Sequence, residues 1–280
     1  MSWPYHFISL SENDKLHRRE LLDLRGYYAQ WSIIVVIVAI RIFRFATRST
    51  AKWDRLVSGK TRQYLVCGLW LLWLVGLSIW GSGDGMSLSP GGLEARANML
   101  DYLHLTKALG RVGLSQLPLQ VLMSPAYISR PAASSVLSLL TGIPQPVLTP
   151  YHRLFGRAVV SLLLSHAALY TLFFVQSSHP EFGILLFKRV QDLDVQFGLA
   201  AIFSAVLLVL FVRPASQKGL QTWLVQGTIQ ERRKMFYFGH VSLVILLCVM
   251  AYSHVKQAQK YMLQTLAASV LNWVCCWAAY

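Results

Sequence analysis

His152 and His166 stand fourteen positions apart inside the apolar stretch 151–174, and His240 and His254 repeat that spacing inside 236–255. At about 100° and 1.5 Å per residue, fourteen residues fall about 40° short of four turns and rise about 21 Å. On one helix both imidazoles therefore look out of one face, near opposite sides of a bilayer whose hydrocarbon is about 30 Å thick. With 8 histidines in 280 residues, chance supplies about 0.2 pairs at any chosen separation, and two are present. A single histidine in a membrane helix serves as readily for an interhelical hydrogen bond as for function, whereas two matched pairs point to ligation. Imidazole is a strong axial ligand of haem iron, so four nitrogens arranged two by two imply two bis-histidine haems stacked across a membrane.

The rest of the chain is built for lipid. It is 55% hydrophobic and only 14% charged, with a mean hydropathy of +0.45, whereas soluble domains average about 25% charged. A net charge of +14 and a pI of about 9.9 would raise nucleic acid as a partner of a soluble protein. No basic stripe interleaved with aromatics and no nucleic-acid motif occurs, and Lys and Arg gathered in cytoplasmic loops account for the charge. Cys67, Cys248, Cys275 and Cys276 sit in apolar runs and form neither C-x-x-C nor C-x-x-C-H. That argues against a disulfide framework and against covalently attached haem, and leaves non-covalent, b-type haem as the expectation. The first twenty residues lack an apolar core before a small-residue cleavage site, so no cleaved signal peptide is expected.

Seven apolar runs of about twenty residues cover 27–45, 64–80, 99–123, 152–176, 195–212, 236–256 and 261–280. The fold expected is all-α, a polytopic transmembrane helix bundle of about seven spans, with an extracytosolic segment 1–26 ahead of one membrane domain 27–280. Arg41 interrupts the first run and should snorkel to the interface. Lys107, Arg111 and Pro118 break the third run, and 124–150 holds five of the ten prolines, which predicts a re-entrant or surface connection. The glycines of 81–85 follow no strand, so they read as an outer loop and not a nucleotide fingerprint.

Loop 44–62 has Arg44, Arg48, Lys52, Arg55, Lys60 and Arg62 against Asp54, and 213–234 has five basic residues against Glu231. Both belong in the cytosol, which puts the N-terminus outside and the C-terminus inside. The two histidine-bearing spans are then separated by one crossing and run parallel. His152 should therefore share an inner haem with His240, and His166 an outer haem with His254.

HRLFGR at 152–157, the two H-x13-H pairs, and Gly110-Arg111 followed by Leu117-Pro118 resemble the ferric reductase transmembrane family, whose relatives include fungal metalloreductases and NADPH oxidases. The resemblance runs from about Leu22 to the last residue. It implies a transmembrane electron wire: cytosolic NADPH reduces FAD, the flavin reduces the inner haem, and the outer haem reduces extracellular ferric or cupric chelates. By the same resemblance Arg111, Arg153 and Arg157 are candidates to pair with haem propionates; singly, each reads equally well as an interfacial anchor. The chain departs from the family where Arg233 and Lys234 replace its usual tyrosine and glutamate, although Phe236 is kept. No flavin motif or G-x-G-x-x-G in a strand-turn-helix setting occurs, so the flavin and nicotinamide unit is expected in cis on a longer chain or in trans on a partner, and the chain alone should not oxidise NADPH. No catalytic side chain is assigned. A plasma-membrane location is expected, with a vacuolar or other internal membrane as the alternative. The competing readings are a superoxide-forming oxidase module and a haem-free transporter or assembly subunit with proton-relaying histidines.

Overall fold

The computed structural model describes residues 12–47, 59–80, 102–125, 134–210 and 228–278. They form α1 (Glu12–Thr47), α2 (Lys60–Ile79), α3 (Tyr102–Ser115), α4 (Leu117–Leu122), α5 (Val136–Thr141), α6 (Gln145–Gln176), α7 (Leu185–Arg189), α8 (Leu193–Leu210), α9 (Ile229–His254) and α10 (Lys256–Ala278). A two-residue hairpin, β1 (Ser178–His179) against β2 (Gly183–Ile184), lies between α6 and α7. An almost purely helical answer is what lipid demands, because a helix satisfies its own backbone groups where no water can. Five of these helices are long and apolar enough to cross a bilayer: Lys15–Ala46, Lys60–Ile79, Gln145–Gln176, Leu193–Leu210 and Lys234–His254. The chain is an all-α integral membrane protein.

Two of the seven expected spans do not reach that criterion by themselves. The 99–123 run is divided: α3 ends at Ser115, Gln116 makes a turn, and Pro118 sits in the first turn of α4, where its missing N–H is one of the unpaired donors anyway. The last run is interrupted by Gln264, Thr265 and Asn272, which diminish the apolarity of α10. Helix boundaries also move outward. α1 begins at Glu12, well ahead of the apolar run at Tyr27, and α6 begins at Gln145, ahead of His152, with Pro146 in its first turn and Pro150 inside it. The expected connection 124–150 thus contributes α5 and the start of α6. The glycine-rich segment 81–85 and most of loops 44–62 and 213–234 lie outside the described residues.

Lipid gives helices no hydrophobic reason to associate, so close packing and interhelical hydrogen bonds carry the assembly. Small residues serve the first: Ala201, Ala205 and Ala251 let α8 and α9 meet, around Val159 and Leu163 of α6 and Tyr261 of α10. A second cluster joins Ala29, Leu74, Leu109, Val112 and Leu162 across α1, α2, α3 and α6. Polar contacts serve the second, among them Gln30 to Gln264 at 2.7 Å, Trp73 to Ser32 at 3.1 Å and Trp70 to Gln116 at 3.2 Å. Each such bond contributes about 0.6 kcal/mol on average. The guanidinium groups of Arg41 and Arg44 lie beside Gly142, the left-handed cap of α5 at φ 69°, where a Cβ would meet them at 3.4 and 3.3 Å.

Candidate functional site

α6 packs against α3 and also touches α8, which in turn packs along α9. This arrangement brings the four histidines together two by two. The rings of His152 and His240 lie with centroids 6.2 Å apart and planes at 63°. His166 and His254 line one cavity of about 690 Å³ near the other ends of α6 and α9.

Main-chain carbonyls aim three of the rings. His152 Nδ1 meets the Gln120 carbonyl at 2.9 Å, His166 Nδ1 meets that of Thr106 at 2.7 Å, and His254 Nδ1 meets that of Asp194. A carbonyl only accepts, so each Nδ1 carries the proton and each Nε2 keeps a lone pair for another partner. A histidine that binds a metal is ordinarily fixed in this way, its other nitrogen donating to a carbonyl or carboxylate. The 6.2 Å separation of the inner rings also suits one ion bound to both nitrogens at about 2 Å each. The residues present therefore fit a pair of bis-imidazole centres.

The source of these carbonyls differs between the two ends. Gln120 is in the last turn of α4, where terminal carbonyls lack an intrahelical partner. Its side chain also reaches α6: with the amide oriented to satisfy both contacts, it donates to the His152 carbonyl and accepts from Gly156 N–H, each at 3.0 Å. Thr106 and Asp194 lie within or at the start of continuous helices, and four residues after each stands a glycine. A Cβ on Gly110 would come within 2.6 Å of His166 Nδ1, and one on Gly198 within 2.8 Å of His254 Cε1. His240 has neither aid. Its Nδ1 is buried without a hydrogen-bond partner among the described residues, and its ring stacks on Phe236 at 5.6 Å and 19°.

The arginines singled out by sequence fall in different places. Arg111 lines the cavity that holds His166 and His254 and forms an ion pair with Asp23, which also binds Lys260 at 2.7 Å. Arg153 and Arg157 are exposed on α6 beside the inner pair. Lys15, Arg18, Arg19, Lys107, Arg111 and Arg189 all line the cavity that holds His166 and His254, against Asp194 as the one acid of the lining among the described residues, and Asp194 is held by Arg189 at 2.9 Å. Sequence reading missed His104, a buried neighbour on the same cavity wall, and it missed Gly198. The Gly198 signal was available: Gly110 and Gly198 are separated by the same 88 residues as His152 and His240, and as His166 and His254.

A model of the family described as "Ferric reductase like transmembrane component" matches residues 109–251, about half of the chain. The match takes in His152, His166 and His240 and stops three residues before His254. Comparison with the curated proteins returns no match, and comparison with the solved structures returns none either.

Proposed function

We propose, since the chain belongs to the ferric reductase like transmembrane component family, that it is the membrane module of a ferric or cupric chelate reductase and carries electrons across the bilayer. The observation that carries this reading is the pairing of the four histidines two by two on α6 and α9. His152 and His240 would hold an inner b-type haem, and His166 and His254 an outer one. Haem supplies a one-electron carrier whose oxidation states bis-imidazole ligation accommodates. The residues of this chain do the remaining work. The Gln120, Thr106 and Asp194 carbonyls hold protons on Nδ1 and so leave Nε2 with the lone pair that would bind the iron. The apolar wall between the two centres, with Val159, Leu162 and Leu163 buried on α6, excludes water from the route.

In the seven-span reading that we propose, α3 plus α4 and α10 are the additional crossings, and Glu12 and the 690 Å³ cavity belong to the extracytosolic side because the basic loops 44–62 and 213–234 belong to the cytosol. We assign Arg111 to carboxylates at the outer centre, where its guanidinium has donors beyond the one used by Asp23 and Lys107 and Arg19 share the lining, and Arg153 and Arg157 to the inner one. The excess of cations around the outer cavity supports a negatively charged acceptor, such as a carboxylate chelate of ferric or cupric ion, drawn in by the field of the site. Electrons enter from a flavin and nicotinamide unit in cis or in trans. A plasma-membrane location follows from an extracellular acceptor.

Purified chain from haem-replete cells tests the reading. A pyridine haemochrome assay should give about two haems per chain, the stoichiometry of two bis-histidine centres. Dithionite should reduce them, while NADPH with free flavin should not. A colourless preparation would defeat the proposal and leave the haem-free readings.

A further inference from the structure

A helical side chain leans toward the N-terminus and covers the turn behind it. The carbonyl of one residue is therefore screened by the Cβ four positions later, and a glycine there leaves that carbonyl open to a group from another helix. The outer pair uses this opening twice. Thr106 and Gly110 on α3 receive His166, and Asp194 and Gly198 on α8 receive His254, with a separation of 60 residues between acceptor and histidine in both cases. The whole set recurs at a constant offset of 88 residues: 106 to 194, 110 to 198, 152 to 240 and 166 to 254. α3 packs on α6 as α8 packs on α9. A helix that offers a carbonyl and a glycine, followed by a helix that offers two histidines, thus occurs twice in tandem. Membrane proteins built from parallel repeats place their sites at the interface between them, and the outer cavity lies at such an interface.

We propose that the outer centre is assembled from two equivalent half-sites of this repeat, and that Gly110 and Gly198 are its positioning residues. Each glycine uncovers the carbonyl that fixes Nδ1 and vacates the space that the imidazole fills. The inner centre lacks the device, since His152 takes its acceptor from a helix end and His240 rests on Phe236. This inference rests on the two-haem reading above and adds to it a role for two helices that carry no ligand. Gly113 provides the contrast. A Cβ there would also be crowded, at 3.1 Å, but against Leu163 and no histidine.

Full-length wild type, Gly110→Ala, Gly198→Ala and Gly113→Ala are purified, haem is counted by pyridine haemochrome, and the low-spin ferric EPR signals are recorded. Those signals report the mutual orientation of the axial imidazole planes, and His166→Ala identifies the outer one. Gly110→Ala and Gly198→Ala should each fall from about two haems to about one, or keep both with only the outer signal displaced, because each disturbs one of two axial ligands. Gly113→Ala should leave number and signals unchanged. A wild type without haem would remove the reading on which the inference stands. A wild type with two haems, together with an unchanged outer signal in either Gly110→Ala or Gly198→Ala, would overturn the inference alone. Loss of the outer signal in Gly113→Ala would do the same by making general crowding the cause. If the alanine variants do not accumulate, ¹⁵N-histidine NMR of the reduced, diamagnetic wild type decides. Nδ1 protons of His166 and His254 that resist exchange with deuterium oxide support the half-sites, and free exchange refutes them.

Discussion

Asn272 lies in the apolar run of α10, 2% exposed, and both polar atoms of its amide bond to the backbone of a distant segment. Oδ1 accepts from Val136 N–H at 2.9 Å, and Nδ2 donates to the Ser124 carbonyl at 2.7 Å. Gln145 works beside it, accepting from Ser135 N–H at 3.0 Å and donating to the Met123 carbonyl at 2.9 Å. Together the two amides clamp 123–124 and 135–136 to α6 and α10, and so fix the end of α4 from which Gln120 meets His152. Asn272→Leu keeps the side-chain branching and strands one buried N–H and one buried carbonyl, each costing about 1–3 kcal/mol. Removing the asparagine's own desolvation offsets part of this, and the net loss expected is about 2–4 kcal/mol. For a chain of this size that corresponds to a fall in melting temperature of about 5–15 °C. The assay is thermal unfolding in detergent followed by near-UV circular dichroism, with Val270→Ala, which is lipid-facing and 56% exposed, as the control. An Asn272→Leu melting temperature within about 2 °C of wild type, less than about 1 kcal/mol, would show that the two backbone groups find other partners and that the clamp is not real.

Other perturbations probe the remaining parts of the argument. Replacing His166 or His254 by alanine should remove the outer haem and spare the inner one, and His152→Ala or His240→Ala should do the reverse, as read by haem stoichiometry and EPR; loss of all haem from every variant would refute the site-by-site pairing. Membrane-impermeant thiol labelling from outside intact cells should reach Asn13→Cys and miss Lys60→Cys, both exposed positions, and the opposite pattern would invert the proposed orientation. At the start of α9 the Glu231 carboxylate accepts from Thr228 N–H and hydroxyl, contacts that hold its pKa below the ordinary 4.5. A depressed carboxylate stabilises the folded end above its ordinary pKa, and that support is lost as pH falls through the lower, folded value. Hydrogen exchange at the first turn of α9 should therefore rise below about pH 4.5 relative to a mid-helix reference, and Glu231→Gln should abolish the pH dependence.

The histidine pairs were legible because their spacing is a property of single helices, and a periodicity of 3.6 shows it without any tertiary knowledge. The family resemblance rested on the same residues, and the match over 109–251 includes three of the four. Helix ends were less legible. Pro146 and Pro150 read as breakers, yet a proline in the first turn costs no hydrogen bond, and one further in frees a single carbonyl. α1 extends back to Glu12 although 12–26 is polar, and the end of that segment is tied to other elements through polar contacts: Asp23 with Arg111 and Lys260, and Arg25 with the Trp80 carbonyl. A reading that seeks apolar runs finds lipid-facing surface and passes over such a segment.

The acceptors that aim the imidazoles were out of reach for a different reason. Every residue has a carbonyl, so a carbonyl leaves no trace in composition or spacing; only the condition that exposes it can be read. At the inner end that condition is a helix terminus, and Gln120 qualifies because α4 stops at Leu122. At the outer end it is the absence of a side chain four residues on, so Gly110 and Gly198 mark Thr106 and Asp194 as available. Glycine would otherwise weaken a helix by about 0.5–1 kcal/mol relative to alanine, a cost that the recurrence of the pair opposite matching histidines sets against a geometric return. His240, with neither exposure device, has its ring stacked on Phe236. The orientation of three of the four imidazoles is thus set from α3, α4 and α8, and substitutions that cover those carbonyls should disturb the proposed centres even though no histidine is touched.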